Sequence, residues 1–170
     1  MSLGSDIDYV IARRSGLHGR FARAARRQPL AFVIARVATP LDRLVLTVTR
    51  GRTTATALLT GLPVLWVETI GARSGNMHVV PLLGIPTNSG GLALIGSAFG
   101  TLRTPAWVYN LREHDHVDVL WDGNRHPVRA VELVDTDAVW ERAIHLYPGY
   151  ADYRRWASQR SIAVFELLAR

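Results

Sequence analysis

The chain has 170 residues, 48% of them hydrophobic and 20% charged, with a formal net charge of +6, a composition that suits one soluble globular domain with a sizeable core. No apolar run approaches the roughly 20 residues needed to cross a bilayer. The absence of cysteine excludes disulfides, thiolate zinc sites, cysteine-ligated iron–sulfur clusters and cysteine nucleophiles.

The opening "MSLGSDIDY" lacks the basic and apolar segments of a secretory signal, and a cytoplasmic location is expected. Leu17, Phe21, Ala24 and Ala25 then fall at helical spacing, with Arg20, Arg23, Arg26 and Arg27 on other faces. Pro29 ends that helix. Thr39-Pro40 reads as the start of a second one, which carries Leu41, Leu44, Val45 and Val48. Short branched runs at 63–70, 78–85 and 91–98 read as strands, punctuated by Gly, Pro and Asn. A helix is predicted over 104–114, capped by Thr104 with Pro105 in its first position. Two alternating runs within 117–133 flank Asp122-Gly123, a strong hairpin signal. A helix over 135–149 stops at Pro148-Gly149, a shorter helical piece follows, and 161–168 reads as a last strand. Helices interrupt these strands without alternating with them, so the expected class is α+β. A small, mostly antiparallel barrel with flanking helices fits, and a doubly wound parallel sheet does not. The expected division is a basic helical extension over 1–60 and a barrel over 61–170, together one domain.

Charge follows that division. Residues 1–60 hold ten arginines against three aspartates, while residues 61–170 hold ten arginines against eleven acids. The basic N-terminal helix suits peripheral contact with an anionic membrane. Packing against the barrel or a second copy, as a homodimer, suits it equally. Nucleic acid is not an expected partner, because the arginines come with no recognisable binding fold or stacking platform.

The turn at 71–75, "GARSG", is the first chemical signal. Two glycines can turn the backbone and free its amides, and Arg73 and Ser74 add charge-assisted donors, which together suit a phosphate or carboxylate. A tight hairpin whose arginine faces water would look the same. The stretch is neither a Walker loop nor a dinucleotide fingerprint, because no lysine and no helix follow the glycines. "HDHVD" at 114–118 offers His114, His116 and Asp118 with no second ligand cluster, and no metal is expected.

Taken in order, "GRTTATALLTGLPVLWVETIGARSG", "PLLGI", "IGSAFG", "TPAWVYNL" and "YPGYADYRRW" resemble the deazaflavin-dependent nitroreductase family, over about residues 40–170. That resemblance implies an FMN-binding-like split β-barrel that binds coenzyme F-420, an 8-hydroxy-5-deazaflavin. It implies that the turn Gly71 to Gly75 holds the coenzyme's phosphate and acidic tail, with Arg73, Ser74 and Gly75 as cofactor-binding residues. Ala72 stands where the family has arginine and Arg73 where it has lysine. His78 replaces a family arginine beyond the turn, and Leu83 an aromatic after the Pro81-Leu82 pair. Ser97 matches the serine that faces the deazaflavin rings, with Ala98 in place of a frequent lysine. Pro105, Trp107, Asn110 and Leu111 keep the family's helix motif, and Val108 stands where many members have tyrosine.

The coenzyme's phosphodiester and glutamate require a cationic site, and Arg50 and Arg52 are further candidates for its tail. Trp107 reads as core or as ring neighbour, and Asn110 as a ligand contact or a brace for the turn. Tyr147, Tyr150 and Tyr153, three residues apart, either line the substrate side or pack with partnered hydroxyls. Tyr150 is the candidate hydroxyl donor to an acceptor that gains negative charge, and is grouped with Ser97 as catalytic. The implied activity is hydride transfer to a small-molecule electron acceptor such as a quinone, nitroaromatic or activated enone. A non-catalytic carrier of deazaflavin or a lipid-like ligand, and an FMN-binding reductase on the same barrel, are the alternatives.

Overall fold

The computed structural model describes residues 64–121 and 123–170. The two expected N-terminal helices, and with them Arg50 and Arg52, lie outside the described residues. Seven strands form one sheet in the order β2-β1-β5-β6-β7-β4-β3, and every described pairing is antiparallel. They are β1 (Val64–Ile70), β2 (Met77–Leu83), β3 (Ile85–Pro86), β4 (Leu92–Ile95), β5 (His116–Trp121), β6 (Asn124–Glu132) and β7 (Val164–Ala169). The helices are α1 (Ala106–Glu113), α2 (Asp137–Leu146) and α3 (Gly149–Trp156). The sheet curls until β2 approaches β4, which makes the expected split barrel.

Two apolar layers follow from which face each side chain takes. Leu65, Val67, Leu94, Val119, Val128, Phe165 and Leu167 fill the barrel interior, and α1 adds Trp107, Val108 and Leu111. Burial of each large side chain contributes about 1.5–3 kcal/mol. On the outer face, Ala93, Ile95 and Val164 pack against Val139, Trp140 and Ala143 of α2 and Tyr150 and Tyr153 of α3. Strand β4 is covered on both sides, which explains why "LALI" carries no polar alternation.

The expected hairpin between β5 and β6 forms: Trp121 pairs with Asn124, and Gly123 adopts φ +76°, a positive value that tight hairpin turns favour. The helix start differs by one residue. Pro105, extended at ψ 146°, is itself the N-cap of α1, and no side chain caps the helix, so Thr104 does not play that part. His116 and Asp118 lie on β5, and Arg125 takes the Asp118 carboxylate at 3.2 Å. Among the described residues no helix is long and apolar enough to cross a membrane.

Candidate functional site

The β1–β2 turn closes through two backbone bonds, from Gly71 N–H to Asn76 O and from Gly75 N–H to Gly71 O, each 2.8 Å. Gly75 sits at φ +66°, a conformation that costs an L-residue roughly 1–2 kcal/mol. Gly71 is required for a different reason. A Cβ there would collide with the Ser74 hydroxyl and lie 3.0 Å from Nε2 of His78, so the missing side chain lets both polar groups close over the backbone. Among the described residues the N–H groups of Arg73 and Ser74 donate to no protein acceptor, and Arg73 forms no ion pair. Both residues are exposed. The turn therefore offers two amides, a hydroxyl, an imidazole and a guanidinium to the outside.

Asn110 fixes this turn from behind. Its Oδ1 accepts from Ala72 N–H at 3.0 Å, and its Nδ2 donates to Thr69 Oγ1 at 3.1 Å. Asn110 is buried in α1. Trp107, one turn earlier, lies in the barrel core with its ring 5.9 Å from that of Phe165. Asn110 thus braces the turn, and Trp107 packs in the core.

The second part of the site lies after β4. Ser97 is buried, and its side chain makes no cap hydrogen bond to the turn that follows. Three residues in the left-handed region follow: Ala98 at φ +46°, Phe99 at +55° and Gly100 at +78°. Two of them carry side chains, at a cost of about 1 kcal/mol or more each, so the surroundings must hold this loop. Gly100 lies so close to Trp156 and Tyr153 that a Cβ would sit 2.9 Å from the Trp156 ring. Arg160, which motif reading overlooked, provides the rest. Its Nη2 donates to the carbonyls of Gly96 at 2.9 Å and Ser97 at 3.0 Å, and its Nε to that of Thr101 at 2.9 Å. Burial pulls its pKa below the usual arginine range, yet a guanidinium stays charged at any ordinary pH. The only sequence signal is an arginine four residues ahead of a strand, β7.

Tyr147, Tyr150 and Tyr153 do come together, but in the outer core, each only 5–6% exposed. Their rings meet edge-on or tilted at 5.9–6.2 Å, and the Tyr147 and Tyr153 hydroxyls lie 3.5 Å apart. Burial pushes the Tyr153 phenol far above its ordinary pKa. Phe99 meets Tyr153 edge-on at 5.9 Å, so the tyrosine cluster supports the Ser97 loop from beneath. Pro81 sits half-buried in the middle of β2, opposite Trp66.

Residues 39–168 match the family described as F420H(2)-dependent quinone reductase. A structure described as an F420-H2 dependent reductase, FDR-A, is 31% identical with a TM-score of 0.55, covering 62% of this chain and 93% of that one. A second, described as a domain-swapped dimer, is 27% identical with a TM-score of 0.57, covering 82% of this chain and 98% of the other. A protein of unknown function from Agrobacterium tumefaciens, 13% identical with a TM-score of 0.50 over 64% of this chain and 48% of its own, shares the fold alone. The antiparallel half-barrel and a match over three quarters of the sequence converge: the chain belongs to the F420H(2)-dependent quinone reductase family, a family of oxidoreductases whose cofactor is coenzyme F-420.

Proposed function

We propose that the protein reduces a quinone-type acceptor with coenzyme F-420 as its hydride source. The observation that carries this reading is the turn at 71–76: an exposed Arg73 and two backbone amides that, among the described residues, have no partner, on a backbone whose Gly71 leaves room for Ser74 and His78. Such a donor set fits a phosphodiester with an acidic tail, since backbone amides and a guanidinium both favour oxyanions. Arg73, Ser74, Gly75 and His78 would hold those groups, with Arg50 and Arg52 as further candidates for the tail. Asn110 keeps the turn's shape through Ala72 and Thr69.

The reduced coenzyme supplies a hydride, a two-electron reductant. The protein's part is orientation and exclusion of water. Ser97 and Ala98, on their clamped loop, and Pro81, across the barrel mouth on β2, are the proposed neighbours of the ring system. The acceptor-side role of Tyr147, Tyr150 and Tyr153 is narrower than an open row of phenols would give. They form the floor under the Ser97 loop, and Tyr150 reaches an acceptor oxygen only if that acceptor enters the aromatic cluster. Pairing of two copies is a further part of the proposal, supported by the domain-swapped dimer among the related structures and measurable by sedimentation.

Titration with oxidised coenzyme F-420, with FMN as control, tests the reading, followed by turnover of the reduced coenzyme against menadione and a nitroimidazole. Saturable deazaflavin binding with menadione reduction is expected. Binding of FMN alone, in a yellow protein, would transfer the barrel to flavin chemistry, and tight deazaflavin binding without turnover on any acceptor would make it a carrier.

A further inference from the structure

We propose that Arg160 is a positioning residue for the coenzyme: by clamping the left-handed loop 98–100 from both ends, it fixes the direction in which Ser97 presents its hydroxyl. The inference rests on the deazaflavin reading for its ligand, and on geometry alone for the clamp.

A single guanidinium holds three main-chain carbonyls, those of Gly96 and Ser97 before the loop and that of Thr101 after it, at 2.9–3.0 Å. A weaker contact at 3.3 Å reaches the carbonyl of Ser161. Among the described residues no carboxylate pairs with Arg160, whereas Arg112, Arg125, Arg129, Arg154 and Arg155 all have acidic partners. Among the described residues the charge thus goes to main-chain dipoles, where a planar fork can bridge carbonyls that a point charge cannot. What it bridges needs help. Ala98 and Phe99 both have positive φ, a run that L-residues abandon unless their surroundings dictate it. The loop's own support consists of Gly100 N–H to Ser97 O at 2.9 Å and Thr101 N–H to Ala98 O at 3.1 Å. Ser97 itself, whose carbonyl is held at one end of the clamp, spends no side-chain hydrogen bond on capping the loop.

The test compares Arg160→Met, which removes every donor, with Arg160→Lys, which keeps the charge but not the fork. Hydrogen exchange of the Gly100 and Thr101 amides is measured without coenzyme, alongside binding of the oxidised coenzyme by titration. In Arg160→Met both amides are expected to exchange about tenfold faster or more, while the β4 and β7 amides keep their protection. The dissociation constant should rise about tenfold, with Arg160→Lys in between for both readouts. Arg73→Ala serves as control, weakening binding with the loop amides unchanged. Unaltered exchange at 100 and 101 would overturn the clamp. Loosened amides with unaltered affinity would overturn the positioning role and leave only a structural one. If the unmodified protein failed to bind the coenzyme, the deazaflavin reading would fall and take the ligand half with it; the exchange measurement would still decide the clamp.

Discussion

The carboxamide oxygen of Asn110 accepts the Ala72 N–H at 3.0 Å, thirty-eight residues away in sequence. The same side chain donates to Thr69, whose hydroxyl faces the carbonyl of His78 at 3.5 Å. One buried amide thus joins helix α1 to both sides of the β1–β2 turn. Replacing it with alanine leaves the buried Thr69 hydroxyl without this donor, at a cost of about 1–3 kcal/mol. Asn110→Ala should therefore lower stability by that order in denaturant unfolding. It should also weaken coenzyme binding about tenfold, because the turn relaxes. Asn110→Asp keeps the acceptor for Ala72 and should restore part of the affinity; an aspartate variant as weak as the alanine one would show that the Thr69 bond carries the effect.

Arg73 is exposed and has no acidic partner among the described residues, so its removal should not disturb the fold. Arg73→Ala is expected to reduce coenzyme affinity by about 1–3 kcal/mol, the scale of a charge-assisted contact left unmade. The remaining binding should depend less on salt than that of the unmodified protein, since screening acts on the lost ion pair. Titrations at two ionic strengths check both statements. Unchanged affinity would move the phosphate grip to other cations, and Arg50 and Arg52 would be substituted next.

Sequence reading recovered what depends on neighbours in the chain, and missed what depends on distant contact. The Asp122-Gly123 hairpin and the Pro105 helix start were legible because turn chemistry is local. The cap was misplaced by one residue because the conformation of Pro105 itself, extended at ψ 146°, decides where the helix begins. Strand β3 is only two residues long, too short for any periodicity. Asn110 could be named from its helix motif, but its bond to Ala72 depends on a fold that brings the turn to it. Arg160 lies 59 to 64 residues from the carbonyls it holds, and no spacing announces such a contact. The three tyrosines were found by their spacing, while their burial depended on Trp140, Phe99 and the outer face of β4.

Tyr150 distinguishes packing from participation. Its ring meets those of Tyr147, Tyr153 and Trp140 edge-on within 5.9–6.1 Å, and phenylalanine keeps those contacts. Tyr150→Phe should cost about 1 kcal/mol for the lost buried hydroxyl interaction and leave the coenzyme dissociation constant unchanged. If the phenol serves the acceptor, kcat/KM for menadione should fall at least about tenfold at constant coenzyme affinity. Steady-state kinetics beside thermal unfolding separate the two roles. A fall in Tm with kcat/KM intact assigns Tyr150 to the floor of the loop.

Helix α1 is tied to the sheet at its far end by Arg112, whose Nε and Nη2 grip the two oxygens of Glu132 at 2.8 and 2.7 Å. This fork holds the Glu132 carboxyl below the usual carboxylate range. A carboxylate with a depressed folded pKa adds stability above its unfolded pKa of about 4, and that stability is lost as pH falls through the lower folded value. Both side chains are more than a third exposed, so solvent screening limits the contribution to about 1 kcal/mol or less. Glu132→Gln should lower stability by that amount at neutral pH and by nearly nothing once the native carboxyl is protonated. Denaturant unfolding at the two extremes gives the difference directly. Because α1 also carries Asn110, the same substitution should loosen the turn slightly, and hydrogen exchange at the Ala72 amide is where that loosening would be read.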